Sequence, residues 1–111
     1  MKKENRAKKH LKIRKRIYGT QERPRLSVFR SSQHIFAQLI DDKAGITYAE
    51  ANDLKMTKEQ KNKKAYEVGR QLAVKALKLK IKKVVFDRAG FLYSGRVKSL
   101  AEGAREGGLE F

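Results

Sequence analysis

Residues 25–52 read RLSVFRSSQHIFAQLIDDKAGITYAEAN, and the alternation within them decides the fold. In Arg25–Ser31, Leu26 and Val28 fall on one side of an extended chain, with Ser27, Phe29 and Ser31 on the other. In Ile35–Ile40, Ile35, Ala37 and Leu39 oppose Phe36, Gln38 and Ile40. A period of two in β-branched and aromatic residues predicts strands. Ser31–His34 and Asp41–Gly45 are turn signals between them, and Gly45 can take positive φ at little cost. Ile46–Asn52 reads as a third strand, and the short links predict an antiparallel meander.

Downstream the period changes. Ala65, Val68, Gly69, Leu72, Ala73, Ala76 and Leu77 recur at helical spacing, with Lys64, Glu67, Arg70, Gln71, Lys75 and Lys78 outside. Thr57 is the expected N-cap, and the small residues of the stripe are expected to let the helix lie close on the sheet. Lys83–Asp87 (KVVFD) is a short apolar run, expected to be a strand covered on both faces and parallel to its neighbour. A loop over Asp87–Gly95 leads to a last helix with Val97, Leu100, Ala101 and Ala104 inward, ended by Gly107-Gly108. The expected fold is α/β: a mixed sheet of about four strands in the order β-β-β-α-β-α, with two packed helices.

Upstream, residues 1–25 hold eleven Lys or Arg against Glu4 and Glu22, a net +9 of the chain's +16. Composition places a flexible basic arm at residues 1–23, disordered or becoming helical on a partner, before a single domain at 24–111. So concentrated a charge points to a polyanion. With no Cys, disulfides and thiolate chemistry are excluded, and His10 and His34 are too few for a histidine-rich metal site. No apolar run approaches a membrane span, and the charged N-terminus lacks the apolar stretch of a secretory signal. The expectation is a soluble intracellular protein, monomeric when free, with no cofactor, membrane or small-molecule partner.

Three groups of residues suit RNA. The arm offers Lys8, Lys9, Lys12, Arg14, Lys15 and Arg16 to phosphates. Arg23, Arg25, Arg30, Ser31, Ser32, Gln33, His34, Phe36 and Gln38 mix cations, hydroxyls and amides with rings that can stack on unpaired bases. The competing reading is a second buried sheet face for Phe29 and Phe36, weighed more for Phe29 than for Phe36, and whether Phe36 and Tyr48 face RNA or a helix stays open. The segment Asp87–Lys98 (DRAGFLYSGRVK) brings Arg88, Tyr93, Ser94, Arg96 and Lys98 to a helix start, where backbone N–H groups also attract phosphate. It is not a Walker loop. Asp87 is expected to pair with Arg88 or Arg96. Asp41, Asp42, Asp53 and Asp87 invite a two-metal nuclease reading, but nothing in their spacing makes them converge. A second alternative is a nucleoid-type or RNA-chaperone protein that binds through charge alone.

Several of these segments, namely Arg23–Ser31 (RPRLSVFRS), His34–Asp42 (HIFAQLIDD), Val68–Leu77 (VGRQLAVKAL) and Val84–Phe111, closely resemble the bacterial family of large-subunit ribosomal protein eighteen, which binds 5S ribosomal RNA. Ala89, Ser94 and Lys80 depart from it, standing where that family usually has Gly, His and Gly. The resemblance implies a structural protein of the large ribosomal subunit in the cytoplasm. Its partners would be 5S rRNA, 23S rRNA and neighbouring proteins of the central protuberance.

Overall fold

The computed structural model describes residues 17–56, 60–93 and 95–111. Its elements are β1 (Arg25–Arg30), β2 (Ile35–Asp41), β3 (Ile46–Asn52), α1 (Lys61–Lys78), β4 (Val85–Asp87) and α2 (Gly95–Glu106). They form one four-stranded sheet in the order β3-β2-β1-β4. β1 and β2 pair antiparallel with Leu26 opposite Leu39 and Val28 opposite Ala37, so the alternation of the two strands falls in phase. β2 and β3 are also antiparallel, with an irregularity at Leu39/Ile40. β4 lies parallel to β1 at the sheet edge, as a strand reached through a helix should. It is shorter than expected, and its Val85 and Phe86 are only half-buried, with no strand beyond it among the described residues.

Leu26, Val28, Ile35, Ala37 and Leu39 share one core with Ala65, Val68 and Leu72 of α1 and Val97, Leu100 and Ala104 of α2. Both helices therefore serve the same side of the sheet. Ser27, Phe29, Phe36, Gln38 and Ile40 point the other way and are half-buried or exposed.

The helix–helix contact corrects the expected role of the small-residue stripe. Gly69 meets α2 rather than the sheet, and a Cβ there would overlap the Leu100 carbonyl. Gly103 answers from α2, where a Cβ would overlap the Tyr66 carbonyl. Missing side chains on both helices bring their backbones into contact. At its start α1 has Gln60 in the N-cap position without a side-chain cap. The expected cap, Thr57, lies outside the described residues.

Both helices end in the same motif. Lys80 N–H donates to the Leu77 carbonyl and Ile81 N–H to that of Ala76. In α2, Gly108 donates to Arg105 and Leu109 to Ala104. This Schellman geometry needs a left-handed residue, which is Gly108 in α2 but Lys80, at φ 63°, in α1. Ala89, at φ 54°, is the other non-glycine residue in this region among those described. It begins a reverse turn with Gly90, closed by Phe91 N–H on the Arg88 carbonyl. These are two of the positions at which the chain departs from the pattern it resembles. Lys80→Gly is thus expected to raise unfolding stability by about 1 kcal/mol, read as a higher urea midpoint. A lower midpoint would mean that the left-handed backbone there is not costly.

Candidate nucleic-acid interface

The link between β1 and β2 is a tight turn. Ser31 N–H donates to the His34 carbonyl at 2.9 Å, and His34 N–H to the Ser31 hydroxyl at 3.1 Å. Behind it, the buried carboxylate of Asp53 accepts Ile35 N–H at 3.2 Å and stands 3.1 Å from His34 Nδ1. Two cations arrive from elsewhere in the chain. Arg96 Nη2, at the start of α2, donates to the Ser31 carbonyl at 2.7 Å, and Lys61 Nζ, at the start of α1, to that of Ser32 at 2.7 Å. The Ser31 and Ser32 carbonyls are thereby each engaged by a cation from the start of a helix.

Arg96 is half-buried, and its Nη1 is buried with no acceptor. Burial, then the like charge of Arg30, holds its pKa below that of an ordinary arginine, with Asp53 acting the other way. Arg30 itself lies with its guanidinium carbon 5.2 Å above the centre of the Phe91 ring. Here the structure joins Arg30, Ser31, Ser32 and His34 to Arg96. Lys98 is exposed two residues further along the same helix. Phe36 and Gln38 lie on the sheet face leading away from the turn, both half-buried.

Arg25 leaves the set of RNA-facing residues. It is 4% exposed, at the other end of β1. Its Nη1 donates to Asp87 at 2.8 Å, while Nε and Nη2 grip the two oxygens of Asp42 at 2.9 and 3.0 Å. The bond to Asp42 raises its pKa beyond the ordinary arginine value, against the opposing effect of burial. Asp87 is fully buried, so its partner is Arg25 rather than Arg88 or Arg96, and its other oxygen takes Ala89 N–H at 2.9 Å. Two carboxylates of the imagined nuclease cluster do meet, but on a guanidinium. Among the described residues no His, Asp or Glu cluster is arranged to hold a metal ion.

The same lock fixes the root of the arm. Gly19 N–H donates to Asp42 Oδ2 at 2.7 Å, and the Gly19 carbonyl accepts Asp42 N–H at 2.9 Å. A Cβ at Gly19 would stand 2.6 Å from the Arg25 amide. Residues 19–23, assigned to the arm by composition, are thus packed on the domain, with Arg23 exposed on that turn. Lys8, Lys9, Lys12, Arg14, Lys15, Arg16 and Ser94 lie outside the described residues.

Arg88 and Tyr93 are separate from the Arg96 turn. With Ile17 and Phe86 they line a hollow of about 330 Å³ where the arm joins the domain. Tyr93 meets Phe86 edge-on at 5.9 Å, and Phe86 stacks on the C-terminal Phe111 at 5.3 Å. Sequence reasoning missed Lys61 and Phe91, whose roles depend on the path of distant backbone. It also misjudged Phe29, which is 51% exposed while Phe36 is half-buried. No sequence signal could have decided it, because the strand pair is apolar on both faces and only the chain path puts both helices on one side.

These features describe a small, strongly cationic α/β domain presenting an arginine-rich turn and an open sheet face. Residues 1–111 match the family described as ribosomal L18 of archaea, bacteria, mitochondria and chloroplast. The chain is 53% identical to the large ribosomal subunit protein uL18 of Thermotoga petrophila, over 99% of this chain and 95% of that protein. It is 57% identical to uL18 of Lactobacillus johnsonii, over 96% and 92% respectively. The chain belongs to the L18 family of ribosomal proteins, and so is a structural, non-enzymatic constituent of the large ribosomal subunit.

Proposed function

We propose that this chain binds 5S rRNA and helps attach it to 23S rRNA in the central protuberance, beside neighbouring large-subunit proteins. One observation supports this reading most. Arg96, in the first turn of α2, is bonded to the β1–β2 turn, so parts of two segments that resemble the 5S-binding family share one surface. That surface holds Arg30 and Arg96 near serine hydroxyls and a ring-bearing sheet face, a mixture suited to structured RNA with unpaired bases. Arg23 and Arg88 belong to the arm root at the other end of β1. Residues 1–16 hold nine Lys or Arg against Glu4 and supply sequence-independent affinity. The arm is the grip, and the domain is the reader.

The test is a competition titration. The full chain should retain 5S rRNA in the presence of excess tRNA and random duplex. Loss in proportion to competitor would leave only a charge-driven binder. Arg96→Ala is expected to keep the circular dichroism of the fold and lower its stability by about 1.5 kcal/mol, through the lost charge-assisted bond to Ser31. Its affinity for 5S rRNA should fall about tenfold, equivalent to about 1.4 kcal/mol, with tRNA binding within about twofold. An equal fall for both RNAs would make Arg96 one cation among many.

A further inference from the structure

On the open side of the sheet, Phe29 and Phe36 stand directly opposite each other in the β1–β2 ladder, with ring centres 6.2 Å apart. Phe91, only 7% exposed, meets the Phe29 ring edge-on at 6.0 Å and an interplanar angle of 72°. Phe29 is therefore held between two other rings while half of its own surface faces solvent. An exposed phenylalanine alone needs no explanation. This one is positioned, and its surroundings are polar and cationic. The next pair along the same face is Ser27 opposite Gln38. At the turn end stand Arg30, over Phe91, and Arg96, whose Nη1 lacks an acceptor.

We propose that Phe29, bracketed by Phe36 and Phe91, is a stacking site for one unpaired RNA base, with Arg30 and Arg96 taking the adjoining phosphate. Ser27 and Gln38 then face the edge of that base. The proposal rests on the RNA-binding reading and deepens it, because it names an unstacked nucleotide rather than a duplex backbone as the ligand of this face. A base within an A-form duplex is already stacked and offers no ring surface to a sheet. A splayed base does, and any base has a π-face for Phe29 to meet. A protein partner would favour a deep apolar pocket for its anchor residues. Here Phe29 and Ile40 are separated along the face by Ser27 and Gln38, and the charges at the turn end are cations, with the Glu50 carboxylate further along, opposite Gln38 on β3.

The chain contains no tryptophan, so Phe29→Trp installs a single fluorophore at the site. Titrating this full-length variant with 5S rRNA should quench its emission in step with binding. Phe29→Leu, which keeps an apolar side chain but removes the ring, should bind 5S rRNA about 5- to 150-fold more weakly, the range for loss of one base–aromatic stack. Emission that stays unchanged while the RNA binds would overturn the stacking site and leave the face to a protein partner. So would parental affinity in Phe29→Leu. Neither result would touch the broader reading, which fails separately if the parent chain shows no preference for 5S rRNA over tRNA.

Discussion

Arg25→Met is expected to cost about 3–5 kcal/mol of folding stability, the range for breaking a buried ion pair from one side. For a domain whose total is about 5–15 kcal/mol, that is a large share, and the variant should melt far below the parent or fail to fold. The cost arises from what is left behind. Asp87 is fully buried and would lose the Arg25 guanidinium, at 2.8 Å. Asp42 would lose a two-pronged contact and keep its bond from Gly19. The pairing spans the fold, joining β1 to the β2–β3 turn and to the end of β4. Removing Asp87 as well, in Arg25→Met/Asp87→Leu, should recover part of the loss, since the fully buried carboxylate goes and the one that remains, Asp42, is less buried and keeps its bond from Gly19. A loss under about 1 kcal/mol in the single variant, measured by urea unfolding, would mean that solvent reaches the carboxylates and that the lock is not buried in solution.

Deleting residues 1–16 is expected to have the largest effect on RNA affinity and almost none on stability. The cut leaves Ile17, the Gly19–Asp42 bonds and the Arg25 cluster in place. It removes nine Lys or Arg and only Glu4. Each phosphate released from contact lowers the magnitude of the log–log salt slope by about 0.9 on duplex. If most of those cations meet phosphates, the slope becomes shallower by about five or more and binding weakens by orders of magnitude at low salt. An unchanged slope would remove the arm from the binding account. A cut at residue 20 would be a poor substitute, because it would also remove Gly19 and its bonds to Asp42 and Lys43.

The faces of the strands were legible because a period of two places Leu26 and Val28 together and needs no knowledge of what covers them. The helical stripe was legible for the same reason, save at its end, where Leu77 is 42% exposed rather than inward. Which side of the sheet stays open was not, since Phe29 and Phe36 make the second face apolar too. Arg25 was misplaced because it belongs to a basic run in the sequence, whereas its partners are 17 and 62 residues away. Local composition carries no trace of contacts at that range. Gly69 announced a close approach, but only the chain path from α1 to α2 shows that the neighbour is Leu100 and not the sheet. Lys80 and Ala89 stood out as departures from a glycine pattern, and the backbone gives the reason: both residues occupy the conformation that glycine adopts most cheaply.

The division of labour between domain and arm is tested most directly by one ratio, the affinity for 5S rRNA over that for tRNA. It should be measured at a single salt concentration for the full chain and for the chain lacking residues 1–16. If the domain reads and the arm grips, both affinities fall on deletion while their ratio stays within about threefold. A ratio that collapses towards one would place selectivity in the arm and contradict the account.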